Sequence, residues 1–254
     1  MESQKPQKYR LRDSERLLER KGKEYMRFLD KFFKKNSNNK SDLEMPQYLY
    51  SESELEEVDK YIGETFGEFP NVLHEIVSPD IHLDVCVIPP TDDEPFYKLV
   101  TMGAGAYEMN VPEQWKDYNI EYAEYVICLP KDWNIQSNNE TDYWPIRVLK
   151  DVARLPIWCD TWLAFGHTTQ ADEEGTAYAA NTRFNSVVLD FATNQKGDIR
   201  LEMSSGKVIN FYQIIPLDPE ELKFKMENNA ETLFEKFNEK GIPYKVVDVN
   251  RNSF

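Results

Sequence analysis

The clearest pattern in the chain is a strict alternation of apolar and polar residues from position 81 to 88, which predicts a β-strand. Ile81, Leu83, Val85 and Val87 would face one side of a sheet, and His82, Asp84 and Cys86 the other. Comparable apolar segments predict further strands at 96–101, 122–129, 161–165, 184–191, 199–203 and 208–215, with a short edge strand at 244–249. Residues 204–207 carry turn residues, so the two strands that flank them are expected to form a hairpin.

Helical patterns lie between and after these strands. One helix is predicted at about 54–65, where acids cluster in the first turn, and another at about 146–154, opened by a Trp-Pro pair. A C-terminal helical region starts at Pro219, is split at Asn228 and ends at Gly241. Because helices separate few of the strands, the fold class is expected to be α+β, with a mixed, mostly antiparallel sheet flanked by helices.

The first 40 residues differ from the rest in charge. Residues 1–40 carry 13 bases and 6 acids, whereas residues 41–254 carry 17 bases and 39 acids. Residues 13–35 have the period of an amphipathic helix, with an apolar stripe formed by Leu18, Tyr25, Leu29 and Phe32. We therefore expect a basic amphipathic helical arm and linker at 1–40, followed by one domain at 41–254. We favour docking of this stripe on the acidic body, without stable membrane insertion. The alternatives are that the stripe binds an anionic membrane surface or that the bases contact RNA.

Composition narrows the class of protein. The net charge of −15 argues against nucleic acid as a partner of the acidic body. The three cysteines are widely spaced, which is typical of reduced thiols in the cytoplasm. No run of about 18 apolar residues and no apolar leader is present, so neither a membrane span nor secretion is expected.

Few residues suggest catalysis. The turn Thr101–Ala106 contains Gly-x-Gly, but it lacks the third glycine of a dinucleotide site and the Lys-Ser/Thr of a phosphate loop. His82, Asp84 and Cys86 share a strand face without the second ligand pair of a zinc site. The sequence therefore predicts no enzyme, metal or cofactor. The alternative is a hydrolase or nucleotide-binding enzyme that uses this turn together with His167.

Exposed acids are the better candidates for binding a partner. Two acidic loops are distinguished: Asp92, Asp93 and Glu94 form one, and Asp172, Glu173 and Glu174 the other. Acid clusters are common on any acidic surface, so each loop is a hypothesis that charge reversal can test. The five tryptophans are expected mainly in the core, with one or two left to line a peptide groove.

An ordered series of short motifs resembles the suppressor-of-fused-like family, in its stand-alone bacterial form. The series comprises a strand at 82–90 with paired prolines, a strand ending in Thr-x-Gly, Met-x-Val-Pro at 109–112, Leu-Pro followed by Trp, a Trp-Pro helix, Gly-His-Thr at 166–168 and Ile-Pro-Leu at 215–217. Its structural members are Thr101, Gly103, Trp133, Trp144, Pro145, Leu149 and Ala153. The resemblance covers about residues 55–240 of the chain.

The resemblance implies a non-catalytic protein-binding domain. The animal member of the family holds a transcription factor in the cytoplasm. Stand-alone bacterial members are inferred to be immunity proteins that neutralise a cognate toxin, often a nuclease, which a nearby gene would encode. This chain departs from the family at Gly105, where Ser is frequent, and at Glu108, where Pro is common. A further alternative is a regulatory adaptor that acts through the basic arm.

Overall fold

A computed structural model describes residues 46–75 and 80–253 of the chain. The basic arm predicted at 1–40 lies outside these residues. The α-helices of the described part are α1 (Glu52–Phe66), α2 (Glu140–Trp158), α3 (Pro219–Glu227) and α4 (Ala230–Glu239). The strands are β1 (Asn71–Leu73), β2 (Asp84–Ile88), β3 (Phe96–Met102), β4 (Tyr122–Pro130), β5 (Thr168–Gln170), β6 (Ser186–Phe191), β7 (Thr193–Asn194), β8 (Gly197–Asp198), β9 (Arg200–Glu202) and β10 (Val208–Leu217). Within this part of the chain, no helix has the length and apolar character that crossing a bilayer requires.

One sheet organises the described residues. Its strands lie in the order β1-β2-β3-β4-β10-β6-β5, and β9 pairs with the first residues of β10. Every neighbouring pair is antiparallel except β4 and β10, which run parallel. Helices cover both faces, so the α+β class with a mixed, mostly antiparallel sheet is confirmed. The hairpin predicted at 204–207 is confirmed as well, because β9 and β10 flank these residues and pair antiparallel.

Both faces of the sheet are buried. Helix α2 covers one face and contributes Trp144, Leu149 and Ala153 to the largest apolar cluster. Helix α1 covers part of the other face, where Cys86 and Cys128 lie among apolar neighbours. Helix α4 packs Leu233 and Phe237 on the remaining part of that face. This two-sided cover explains why the polar side of the alternating strand, with His82, Asp84 and Cys86, is also buried.

The start of helix α2 differs from the prediction. The helix begins at Glu140, with Asn139 as its cap, so Pro145 lies inside the helix and not at its first position. A proline in a helix leaves the carbonyl four residues earlier without its usual donor. Here that carbonyl belongs to Thr141, and the side-chain amide of Asn181 donates to it at 2.9 Å. This contact from a distant loop satisfies the backbone that Pro145 interrupts.

Two predicted strands are wrong. Residues 161–165 form no ladder; Asn110 N–H donates to the Thr161 carbonyl at 3.2 Å, and the edge strand begins only at Thr168, beyond a turn at Gly166. Residues 244–249 contact the sheet through isolated bonds, such as Val247 N–H to the Cys128 carbonyl at 2.9 Å. A strand requires a repeated ladder, and neither segment makes one.

Candidate functional site

The first acidic loop is the turn between β2 and β3. Its carboxylates are exposed, and the turn closes with Thr91 N–H donating to the Glu94 carbonyl at 3.0 Å and Glu94 N–H donating to Thr91 Oγ1 at 3.0 Å. Lys98 Nζ contacts Glu94 Oε2 at 2.6 Å. Glu94 is therefore partly neutralised, whereas Asp92 and Asp93 extend from a fixed backbone into solvent.

The second acidic loop follows β5. The exposed Asp172 accepts a hydrogen bond from Thr176 N–H at 2.8 Å, and this bond lowers the pKa of its carboxyl. The Asn185 side chain donates to the Gly175 carbonyl at 3.0 Å, which ties the loop to the start of β6. Glu173 and Glu174 lie between these two anchors and are exposed. Both acidic loops thus have ordered backbones and solvent-exposed carboxylates.

The sheet topology brings the two loops to one end of the molecule. Phe96, at the start of β3, pairs with Pro130 at the end of β4, and parallel pairing directs β10 the same way as β4. At that end Leu217 pairs with Ser186, and Ser186 also pairs with Gln170, the last residue of β5. The loops lie four strand spacings apart, or about 19 Å. We call the surface formed by Asp92, Asp93, Glu94, Asp172, Glu173 and Glu174 the acidic end.

Contacts among Trp133, Trp144 and Tyr178 connect the start of α2 to the chain that follows the second acidic loop. Trp133 Nε1 donates to the Asp142 carbonyl at 2.8 Å, and its ring packs edge-on against Trp144 at 6.3 Å. Trp144 stacks on Tyr178 with ring centroids 5.6 Å apart and an interplanar angle of 4°. These contacts join the start of α2 to residues between the second acidic loop and β6, so the core supports the acidic end.

The glycine turn Thr101–Ala106 is filled by the chain's own carboxylate. Glu124, fully buried on β4, accepts from the backbone N–H groups of Gly103 at 2.9 Å, Ala104 at 3.3 Å and Gly105 at 3.1 Å. Its other donors are the hydroxyl groups of Thr101, at 2.5 Å, and Tyr50, at 2.7 Å. Burial raises the pKa of Glu124, and the hydrogen bonds oppose that shift. The N–H groups that could bind a phosphate are therefore already used.

The two glycines of this turn are required by close contacts. Gly103 has φ of 131°, and a Cβ there would lie 2.0 Å from the His82 carbonyl oxygen. A Cβ on Gly105 would lie 2.3 Å from the Tyr50 hydroxyl. The departure at Gly105 thus coincides with a tyrosine hydroxyl that occupies the adjoining space and bonds to Glu124.

His167 lies away from that turn. It precedes β5, four strand spacings, or about 19 Å, from β3. Its ring contacts Trp162 at 4.4 Å, and burial lowers its pKa. It lines an open depression of about 310 Å³ with Phe165, Lys225 and Met226 among its neighbours. The structure therefore separates the two parts of the alternative enzyme site.

A buried aspartate contacts two histidines. Asp84 lies 3.0 Å from His74 Nδ1 and 3.2 Å from His82 Nε2. Burial would raise the pKa of Asp84, but hydrogen bonds from the two imidazoles outweigh it and lower that pKa to about 2. In residues 46–75 and 80–253, no group of three or more His, Cys, Asp or Glu side chains could hold a metal ion. No local pattern marks His74, which reaches Asp84 because β1 pairs with β2.

Comparison with known proteins identifies the domain. The sequence model of the family described as Suppressor of fused protein (SUFU) matches residues 79–252. The uncharacterized protein UU111 of Ureaplasma parvum serovar 3 is 24% identical over 217 residues, which are 82% of this chain and 98% of that protein.

Solved structures share the fold. A suppressor-of-fused homologue from Neisseria gonorrhoeae FA 1090 is 18% identical with a TM-score of 0.53, over 78% of this chain and 94% of that one. A chain of the Sufu–Fu complex is 13% identical with a TM-score of 0.56, over 78% of this chain and 90% of that one. Drosophila Suppressor of Fused is 13% identical with a TM-score of 0.53, over 82% of this chain and 53% of that one. Because the family model covers more than half of the sequence, this chain belongs to the suppressor of fused (SUFU) family.

Proposed function

We propose that this chain is a non-catalytic protein-binding domain that neutralises a cognate toxin by covering its basic, nucleic-acid-binding face. The fold is one that occurs in the Sufu–Fu complex, and the proposal carries this binding role over to the present chain. The observation that carries the proposal is the position of both acidic loops at one end of the sheet. The inhibitor would act in the cytoplasm, where its cysteines, none of which forms a disulfide, stay reduced.

Size and charge support this role for the acidic end. A typical stable interface buries about 800 Å² on each partner, which corresponds to a patch about 28 Å wide. The two loops, about 19 Å apart, fit within one such patch. A nuclease presents positive charge to its substrate, and opposite charges on two partners accelerate their association.

The ordered backbones of both loops also favour binding. The turn at Asp92 and Asp93 is closed by hydrogen bonds between Thr91 and Glu94, and the second loop is anchored at Asp172 and Gly175. Groups that are already held in place lose little conformational entropy when a partner binds. The acidic end would therefore bind as a preformed surface.

The test is co-expression of the full chain with the toxin-like product of an adjacent gene. We expect the two proteins to co-purify at fixed stoichiometry, and the chain to abolish the partner's nuclease activity when added in equal amount. Charge reversal at both loops, by Asp92→Lys, Asp93→Lys, Glu173→Lys and Glu174→Lys, should restore that activity.

A control that reverses two acids, compared with the two-acid reversal of each loop alone, separates this effect from a general change in charge. Glu52→Lys with Glu56→Lys alters exposed acids at the start of α1, where Lys207 pairs with Glu54 near the beginning of β10. That position is at the opposite end of the sheet, so inhibition should persist. Loss of inhibition in the control alone, or full inhibition by the loop variant, would contradict the proposal.

A further inference from the structure

A second surface of the molecule exposes large aromatic rings. The 3₁₀ helix Glu113–Tyr118 lies between β3 and β4, at the end of the sheet opposite the acidic end. Trp115 is 43% exposed and Tyr118 is 61% exposed, although both rings are largely apolar. They are three residues apart, which places them on the same side of a 3₁₀ helix.

These rings form a continuous patch. The ring centroids of Trp115 and Tyr118 are 5.7 Å apart, and those of Trp115 and Trp162 are 6.5 Å apart. We call Trp115, Tyr118 and Trp162 the aromatic surface. Tryptophan and tyrosine are enriched among residues that dominate binding energy, because each buries a large area with few rotatable bonds.

Carboxylates are numerous in the segments that carry the aromatic surface. Glu113 and Asp117 lie on the same 3₁₀ helix, Glu108 and Glu121 interact with Lys116 of that helix, and Asp160 lies just before Trp162 in the chain. Lys116 lies among them with its Nζ 2.9 Å from Glu113, and its pKa is raised first by that hydrogen bond and further by Glu108 and Glu121. Asp160, which is two residues before Trp162, accepts a hydrogen bond from the Asn110 side chain at 3.3 Å. The surface thus combines aromatic faces with an excess of negative charge.

This combination determines the chemistry of the occupant. A guanidinium or ammonium group is attracted to the face of an indole or phenol ring, and nearby carboxylates strengthen that attraction. An acidic peptide or a nucleic acid would be repelled by the same carboxylates. The body of a second copy of this chain, residues 41–254 with 17 bases and 39 acids, would bring like charges together.

We propose that the aromatic surface binds an arginine- or lysine-rich segment of a protein partner, with a cationic side chain over Trp115 and Tyr118. This surface is distinct from the acidic end, since the nine residues of β4 separate them by about 30 Å. At physiological salt, charges interact over only about 8 Å, so the two surfaces can be tested independently.

The probe is a nine-residue peptide of alternating arginine and glycine, with a glutamate–glycine peptide as its control. Titration of the full chain at about 0.15 M salt should show binding of the arginine peptide alone. In a nitrogen–proton NMR spectrum, the indole signal of Trp115 should shift on binding. The indole of Trp144, which is fully buried in the core, should stay unchanged.

Variants locate the interaction. Trp115→Ala with Tyr118→Ala should weaken peptide binding about tenfold or more, whereas Trp115→Phe with Tyr118→Phe should retain most of it. Asp92→Lys with Asp93→Lys should change the affinity less than about twofold, because those charges are screened from the aromatic surface. If the double alanine variant unfolds, Tyr118→Ala alone, at the more exposed position, takes its place.

Two results would overturn this inference. Undiminished peptide binding by the alanine variant would mean that the peptide binds by charge elsewhere. A dimer of the native chain that the alanine variant dissociates would mean that a second copy covers the aromatic rings.

Discussion

Acidic side chains occur in two contrasting environments in this molecule. Glu124 is fully buried and accepts hydrogen bonds from three backbone N–H groups and two hydroxyl groups. Glu221 is also buried, and Arg251 donates to its two carboxylate oxygens at 2.9 and 2.7 Å. At the acidic end, Asp92 and Asp93 are exposed to solvent. The comparison indicates that the buried acids maintain the fold, while the exposed acids are available for a partner.

The largest expected effect is on stability at Glu124. Glu124→Ala would leave buried N–H groups of the turn without an acceptor, so the free energy of unfolding should fall by about 3–5 kcal/mol. Glu173→Ala, an exposed control at the acidic end, should change it by less than about 0.5 kcal/mol. Urea denaturation measures both variants. Equal, small losses would mean that burial does not distinguish the two groups of acids.

The next effect concerns acid pH and Asp84. Its pKa is about 2 in the folded chain against an ordinary value of 3.8, so the folded state favours the ionised form. This contribution is present above pH 4 and is lost as the pH falls towards 2, at a cost of about 2 kcal/mol. The test is to measure the free energy of unfolding of the native chain and of Asp84→Asn across this pH range. The variant should lose less stability on acidification, and identical pH profiles would refute the assignment.

A smaller effect on stability is expected at Gly105, which lies against the Tyr50 hydroxyl that donates to Glu124. Gly105→Ser would place a Cβ against the Tyr50 hydroxyl and should destabilise the fold by about 1–3 kcal/mol. In a Tyr50→Phe background, the same substitution should cost less, with a coupling of at least about 0.5 kcal/mol. A double-mutant cycle measures this coupling. Additive effects would show that the hydroxyl is not the obstacle.

Local patterns predicted the fold class and most strands, because alternation of residue type follows directly from strand geometry. They misplaced the start of α2. The Trp-Pro pair predicted that the helix opens near Pro145, whereas the helix begins at Glu140. The compensating amide of Asn181 comes from a loop 40 residues away, which no local pattern reveals. The Thr101–Ala106 turn follows β3 and donates to Glu124 on β4, so this contact also depends on strand pairing that no local pattern reveals.

The candidate surfaces divide in the same way. The acids at Asp92 and Asp172 were visible as charge clusters, but their shared position depends on the parallel pairing of β4 and β10. That pairing joins residues far apart in the chain. The aromatic surface was not singled out, because the sequence does not distinguish the exposed Trp115 from the buried Trp144.

The central claim is that the exposed acids act in binding and the buried acids in folding. The most direct measurement is stopped-flow association with the co-purified partner at several salt concentrations. Asp92→Lys with Asp93→Lys, or Glu173→Lys with Glu174→Lys, should leave the free energy of unfolding within about 0.5 kcal/mol of that of the native chain. At least one pair should slow association on the order of tenfold at low salt and flatten its salt dependence. Unchanged association rates and salt dependence for both pairs would contradict the account.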